Sequence, residues 1–309
     1  MKIESIPITQ GYYNNVNANS NQTAFRSLLY NPKSFIHRIN PIVRYMDDYF
    51  QRSVNVSRIA WHIKDHELAP FITEIKTQKK HKLPSITLWD INKDDRKKYL
   101  VIYHGLSHNI SSLQTLYKEI LNNTDFAILA AEYRNYEKGN KEFTYHSPKR
   151  LAQDTESAFQ YLTEKGIPEE NIAVLGHSFG GYAATKMAKK HKNLISLILA
   201  SSTNTYKHRI NAIVYGNKQN IPQGIKDLLV KSKLLRYPLS IVFNTGKVLK
   251  KTSVPVDIIH SKSDKLITLD MAKDLASSAK DLNSFSIVEG SHKMDENKIK
   301  KIVELLKLK

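Results

Sequence analysis

The sequence predicts an α/β fold in which a mainly parallel central sheet carries helices on both faces and a short helical cap. Three observations lead there. From residue 83 onward, short runs rich in β-branched and aromatic residues alternate with stretches of helical periodicity, the pattern of strands joined by crossover helices. One of those runs ends in "VLGHSFGGYAA" (174–184), which sets three glycines within six positions of a chain that has only 11. A length of 309 residues with 41% hydrophobic content is enough to bury one large core, so one domain with additions is expected rather than several small ones.

Residues 1–84 read as an N-terminal extension, partly flexible. The asparagine-rich "YYNNVNANSNQ" (12–22) has little to bury and reads as a flexible lead-in. In "INPIVRYMDDYFQR", Asn40 suits a helix N-cap and Pro41 the first turn, and Ile42, Val43, Met46 and Phe50 then share one face. That stripe is read as packing on the body of the protein in preference to a membrane surface. His62 and His66 stand four apart, but with no further ligand at a recognised spacing they read as a solvated pair rather than a metal site.

The main domain is expected over residues 85–309. Its candidate strands are "SITLWDI" (85–91), "YLVIYH" (99–104), "FAILAAEY" (126–133), "IAVLG" (172–176), "LISLILAS" (194–201), "VPVDIIHS" (254–261) and "SFSIVEG" (284–290). Between the third and fourth, "RLAQDTESAFQYLTEKG" places Leu151, Ala158 and Leu162 at helical spacing and stops at Gly166. A helix from Tyr182 to Lys190 should follow the glycine-marked turn. The final "DENKIKKIVELLKLK" reads as an amphipathic closing helix with Ile299, Ile302, Val303 and Leu306 inward. About residues 203–252, between the fifth and sixth strands, form the predicted cap insertion.

The glycine-marked turn is where chemistry is expected. A serine in G-x-S-x-G, after an apolar strand and before a helix, sits on a sharp strand-to-helix turn that exposes its hydroxyl, and Ser178 is that serine. Gly176 and Gly180 flank it because side chains there would collide across the turn, and Gly181 permits close packing of helix on strand. A serine hydroxyl needs a base to take its proton and an acid to orient that base. Downstream strand-end loops supply Asp264 in "HSKSD" and His292 in "VEGSH". His260 precedes the acid and His177 is the variable residue of the turn, so both are read as structural. Asp257 is a rival acid, but its place inside an apolar strand points it away from the strand ends. A developing oxyanion needs backbone N–H donors. Phe179 N–H is one, and Leu106 N–H, in the loop "HGLSHN" after an earlier strand, is the other, with Gly105 beside it and His104 bracing the loop.

These residues resemble the α/β-hydrolase superfamily from about residue 85 to 309. Within it the chain is similar to small-cap serine hydrolases such as depalmitoylating thioesterases and serine aminopeptidase-like esterases. The resemblance rests on the H-G of "YHGLSHN", the tyrosine-arginine of "AEYRNYEKG", "GHSFGG", the aspartate of "HSKSD" and the histidine of "VEGSH". It departs from the common patterns at Leu106, at Asn135 and Glu137, and at Ser261, while keeping all three triad positions. It implies a serine hydrolase that cleaves a carboxylic ester or thioester through a Ser-His-Asp triad and an acyl-enzyme, with no metal or organic cofactor. A peptidase of the same fold and a non-catalytic binder on a hydrolase scaffold are the alternatives.

Composition narrows partners and place. With no cysteine, disulfide-stapled folds, thiolate chemistry and zinc fingers are excluded. No signal peptide is visible, and the longest apolar run, around residues 194–200, falls far short of the roughly 20 residues that span a bilayer, so a cytoplasmic protein is expected. The net charge of +18 is uneven: residues 203–252 carry ten basic and one acidic side chain, while residues 99–202 are nearly balanced with 11 and 10. In the cap segment Lys207, Arg209, Lys218, Lys226, Lys231, Lys233 and Arg236 stand among apolar residues including Ile213, Leu228, Leu234 and Phe243. The expected partner is a small or lipid-like acyl substrate with an anionic group, and the charge also admits peripheral contact with an acidic membrane surface. Nucleic acid is not expected, because no recognition motif accompanies the charge.

Overall fold

The computed structural model describes residues 72–76, 82–88, 96–105, 108–133, 148–205 and 243–309. The asparagine-rich lead-in, the Asn40 to Phe50 helix, the His62 and His66 pair, and the cap between residues 206 and 242 lie outside them. Eight strands form one sheet: β1 (Ile72–Lys76), β2 (Lys82–Leu88), β3 (Lys98–Tyr103), β4 (Phe126–Ala131), β5 (Ile172–His177), β6 (Ser196–Ala200), β7 (Val256–Ser261) and β8 (Leu282–Val288). Among the described residues six α-helices accompany them: α1 (Gln114–Asn123), α2 (Pro148–Thr163), α3 (Gly180–Lys190), α4 (Thr245–Leu249), α5 (Leu269–Ala276) and α6 (Glu296–Lys307).

The strand order is β1-β2-β4-β3-β5-β6-β7-β8. The six strands from β4 to β8 in that order run parallel, and β2 is antiparallel to both of its neighbours. Parallel strands need crossovers, and helices supply them, so both faces of the sheet are covered. The strands alternate as the pleat requires. In β3, Leu100 and Ile102 join Ile128, Leu175 and Ile198 on one face, under Leu116 and Ile120 of α1 and Ile299, Ile302 and Leu306 of α6. Tyr99, Val101 and Tyr103 face the other side with Leu129 and Val174, under Ala158 and Leu162 of α2 and Ala184 and Met187 of α3. The apolar positions expected to face inward on the second and last helices, Leu151, Ala158, Leu162, Ile299, Ile302, Val303 and Leu306, are all buried. Among the described residues no helix is long and apolar enough to cross a membrane.

The sheet begins earlier than its sequence pattern suggests. Ile72 pairs with Ile86 and Lys76 with Lys82, which carries the sheet across the expected boundary at residue 84. A five-residue strand, "ITEIK", close to the lysines at 79, 80 and 82 offers too few alternations to stand out. Gly166 ends the turn after α2 at φ +82°, a left-handed position suited to glycine. The two ends of the cap insertion are fastened together. Thr205 bridges Asn244, Gly246 N donates to Asn204 O at 3.1 Å, and Asn204 Nδ2 reaches Asp274 O at 3.2 Å.

Asp257, the rival acid, has a structural place. It is fully buried at the start of β7, away from the end where Asp264 follows. Its Oδ1 accepts from Asn283 Nδ2 at 2.7 Å and Ser284 Oγ at 2.6 Å, both on β8, and its Oδ2 faces the Lys309 ammonium at 3.0 Å. The carboxylate therefore ties the neighbouring strand and the chain beyond α6 to the sheet, which offsets its desolvation. Asp257→Asn is expected to lower unfolding stability by about 1.5–3 kcal/mol, the range for hydrogen bonds to a charged group. Urea unfolding measures this, and an unchanged midpoint would remove that role from the pair.

Candidate active site

The end of β5 sets Ser178 apart. Its backbone sits at φ +54°, in the left-handed region that a residue with a side chain rarely takes, and its N–H continues the ladder by donating to Ala200 O at 2.9 Å. α3 starts two residues later, so the serine projects from a strand-to-helix turn. A Cβ on Gly176 would lie 2.6 Å from Gly180 O and from Gly181 Cα, the collision across the turn expected from the sequence. Gly180 is needed for a different contact, since a Cβ there would come 2.0 Å from Tyr103 O on β3. Gly181 lets α3 approach the chain after β6, where a Cβ would meet Ser202 Oγ at 2.1 Å.

Two later loops bring their residues to this serine. His292 Nε2 lies 2.9 Å from Ser178 Oγ, and His292 Nδ1 lies 2.8 Å from Asp264 Oδ2. The remaining oxygen of Asp264, Oδ1, accepts from Leu266 N and Ile267 N, each at 2.9 Å. Burial alone would raise the Asp264 pKa. The His292 hydrogen bond and charge, the Ile267 N–H and His260 outweigh it, and the carboxyl is held below its ordinary value. His260 is fully buried beside it, 3.8 Å from Asp264 Oδ2, and its Nε2 donates to Ile267 O at 2.8 Å. It braces the turn that carries the acid, as a structural histidine would.

The loop after β3 passes against the serine. A Cβ on Gly105 would be 3.2 Å from Ser178 Cβ and 3.2 Å from His177 Nδ1. His104 is fully buried, its Nε2 paired with Glu132 Oε1, and Glu132 Oε2 accepts from Ile110 N at 3.2 Å. Tyr133 OH donates to His104 O at 2.9 Å. Glu132 and Tyr133 are thus the partners that the expected bracing role of His104 requires; the sequence marks Tyr133 only as part of the family resemblance and does not mark Glu132. A carboxylate directly after the apolar run "FAILAA" was the available signal. Leu106, the expected second oxyanion donor, lies outside the described residues. Phe179 precedes the first residue of α3, with its ring stacked edge-on to Phe243 at 5.3 Å and to Tyr133 at 6.3 Å. His108 is the first residue described after positions 106 and 107. Burial, then the neighbouring His104, His292 and Lys293, lower its pKa to about 4, so it is neutral near pH 7. No group of three or more His, Asp or Glu among the described residues could hold a metal ion.

Residues 94–240 match the family model described as serine aminopeptidase, S33. An esterase of Pyrococcus furiosus superposes with a TM-score of 0.60 at 15% identity, over 77% of this chain and 89% of that one. An esterase from Exiguobacterium antarcticum gives 0.56 at 19% identity, over 76% and 97%. The chain has the α/β-hydrolase fold. A meta-cleavage product hydrolase from Pseudomonas fluorescens shares it, with a TM-score of 0.54 at 11% identity over 76% of this chain and 95% of that one. No curated protein matches the chain in sequence. In this α/β-hydrolase fold, Ser178, Asp264 and His292 all stand at the C-terminal ends of parallel strands, β5, β7 and β8, where an open parallel sheet gathers its loops.

The lowered pKa of Asp264 has a thermodynamic counterpart. A carboxyl whose folded pKa lies below its unfolded value adds stability above the unfolded value and loses it as pH falls through the folded one. The stability difference between the native protein and Asp264→Asn should therefore be largest above about pH 5 and shrink below about pH 4. Unfolding curves across that range read it out. A difference that stays constant with pH would mean that the fold does not favour the ionised carboxylate.

Proposed function

We propose that the protein is a serine hydrolase that cleaves a carboxylic ester or thioester by way of an acyl-enzyme. One observation carries the reading: an unbroken run of contacts from Asp264 Oδ2 through His292 to Ser178 Oγ, at 2.8 and 2.9 Å, on a serine with a left-handed backbone. Ser178 Oγ attacks the carbonyl carbon as His292 Nε2 takes its proton. Asp264 orients the ring and stabilises the imidazolium. The tetrahedral oxyanion is held by the N–H groups of Phe179 and Leu106, worth about 10²–10³ in rate each. His292 then protonates the departing alkoxide or thiolate, leaving the acyl group on Ser178. Water attacks that ester as His292 accepts its proton, and the carboxylic acid leaves with Ser178 restored.

The named esterases of the same fold favour an ester substrate. The serine aminopeptidase description of the matching family model favours amide cleavage as the second reading. The same relay serves both, and a p-nitrophenyl ester set against an aminoacyl p-nitroanilide separates them. Ser178→Ala should abolish fluorophosphonate labelling and ester hydrolysis with the fold intact, and Asp264→Asn should cut turnover by about 10⁴. Labelling that survives in Ser178→Ala would move the nucleophile elsewhere.

The acyl substrate is further proposed to bear an anionic group, because the cap segment 203–252 carries ten basic side chains against one acidic. The proposal takes this segment to fold over the site, where its positive field would raise the local concentration of anions and be screened by salt, with a Debye length of about 10 Å at 0.1 M. Anionic acyl thioesters should exceed neutral esters of equal chain length in kcat/KM, by a margin that shrinks as ionic strength rises. Equal salt responses for the two substrates, or no effect of neutralising Lys231, Lys233 and Arg236, would overturn this preference.

A further inference from the structure

Two adjacent residues at the strand-to-helix turn hold the same histidine. Ser178 Oγ meets the His292 ring, and the side chain of His177 donates from Nε2 to the His292 backbone carbonyl at 3.1 Å. The His177 ring is fully buried and lies 5.6 Å from the His292 ring. Burial first, then the charges of His108 and His292, hold its pKa well below the ordinary value, so it carries a single proton. That proton is on Nε2, since only a donor can face a carbonyl oxygen. Nδ1 is then a lone pair, turned toward Gly105 and without a hydrogen-bond partner. The ring gives up one of its two polar contacts to make the other.

The residues on either side of His292 are held in the same way. Lys298 of α6 has a fully buried side chain, and its ammonium donates to Ser291 O and, at 2.7 Å, to Lys293 O. Asp295 Oδ2 pairs with that ammonium at 2.9 Å and accepts from Ser291 N at 3.0 Å, while Oδ1 caps α6 through Lys298 N at 3.2 Å. Gly290 completes the turn at φ +126°, where a Cβ would stand 2.2 Å from Asp295 Oδ2. Three consecutive carbonyls, those of Ser291, His292 and Lys293, thus each accept a hydrogen bond from a buried side chain. A loop that only joined β8 to α6 could leave these carbonyls to water, and burying an ammonium to hold two of them is costly.

We propose that His177 and Lys298 are positioning residues that fix the His292 backbone, so that its imidazole stays in reach of Asp264, Ser178 and the leaving group throughout turnover. The proposal rests on the serine-hydrolase reading above. The Oγ contact cannot do this by itself, because it is lost once Ser178 is acylated and the ring must serve first the leaving group and then water. The contacts to the three carbonyls involve no reacting atom and persist through every step. They act on the backbone, which leaves the ring free to exchange partners.

The test compares His177→Met, which removes the donor, with His177→Gln, whose terminal amide can reach the same carbonyl, alongside Lys298→Met. Steady-state ester hydrolysis and the rate of fluorophosphonate labelling are measured, with the far-downfield proton NMR line of the His292 Nδ1 to Asp264 hydrogen bond as the spectroscopic readout. Expected for His177→Met is a fall in kcat of about 10–100-fold, the scale on which small misplacements of a reacting group act, with KM little changed. The downfield line should broaden, and His177→Gln should recover most of kcat and the line. Lys298→Met should act in the same direction, and if it does not fold, the two His177 variants decide the matter. Wild-type kcat in His177→Met, or equal losses in the Met and Gln variants, would overturn the proposal while the serine-hydrolase reading stood. Failure of that reading looks different: the unmodified protein would not label, or would label equally well as Ser178→Ala.

Discussion

A left-handed backbone at one serine organises this end of the molecule. Holding a residue with a side chain at φ +54° costs on the order of 1 kcal/mol, and the surroundings must over-determine it. They do so through the ladder bond from Ser178 N to Ala200 O and through the absence of side chains at Gly176, Gly180 and Gly181. The next strand repeats the device. Ser201, directly after β6, sits at φ +47° and its N–H donates to Ile259 O at 2.9 Å on β7. Two neighbouring strands therefore each end in a serine of left-handed backbone, braced by the strand beside it. The turn at Ser178 is a continuation of the sheet, and its position is as fixed as the core on which the sheet is built.

The two buried aspartates at the opposite ends of β7, Asp257 within its start and Asp264 beyond its end, show how one type of side chain serves two purposes. Asp257 Oδ1 accepts from an amide and a hydroxyl and Oδ2 faces an ammonium, partners with nothing to exchange. Asp264 has one oxygen fixed by two backbone N–H groups, and the other meets an imidazole whose second nitrogen lies on the serine. The first arrangement is static. The second leaves one partner able to gain and lose charge while the carboxylate stays put. The difference follows from where each stands on the strand, since the early end faces the chain's own closing segment and the far end faces the loops.

Much of this was readable from residue types alone, for identifiable reasons. Glycines in a glycine-poor chain mark close backbone approach, and the approach distances at Gly176, Gly180 and Gly181 bear this out. Five of the six parallel strands, β3 to β7, stand out because strands covered on both faces are near-continuous apolar runs, whereas the edge strand β8 is half exposed and alternates. β1 does not stand out, being short and half composed of polar residues. Charged residues that work from inside were the hardest to see. Lys298 sits in "DENKIKKIVELL", where a lysine beside others reads as solvated surface, and only the fold shows its ammonium turned under the loop. Glu132 does not stand out, because a carboxylate at a strand end looks like the start of a loop. His177 was read as structural, and its contact with the carbonyl of His292 joins residues 115 apart in sequence, beyond any local pattern.

The clasp of Asn204 and Thr205 with Asn244 and Gly246 separates the history of the insertion from that of the sheet. Because its two ends meet on the body of the protein, the sheet experiences the whole intervening segment as one tight turn. Lengthening a closed loop is cheap, about 0.6 kcal/mol for each doubling. Residues between the clasped ends can be gained, lost or exchanged without moving β6, β7 or the three residues gathered at the strand ends. One contiguous stretch of gene can thus vary in length while the geometry at the strand ends stays constant.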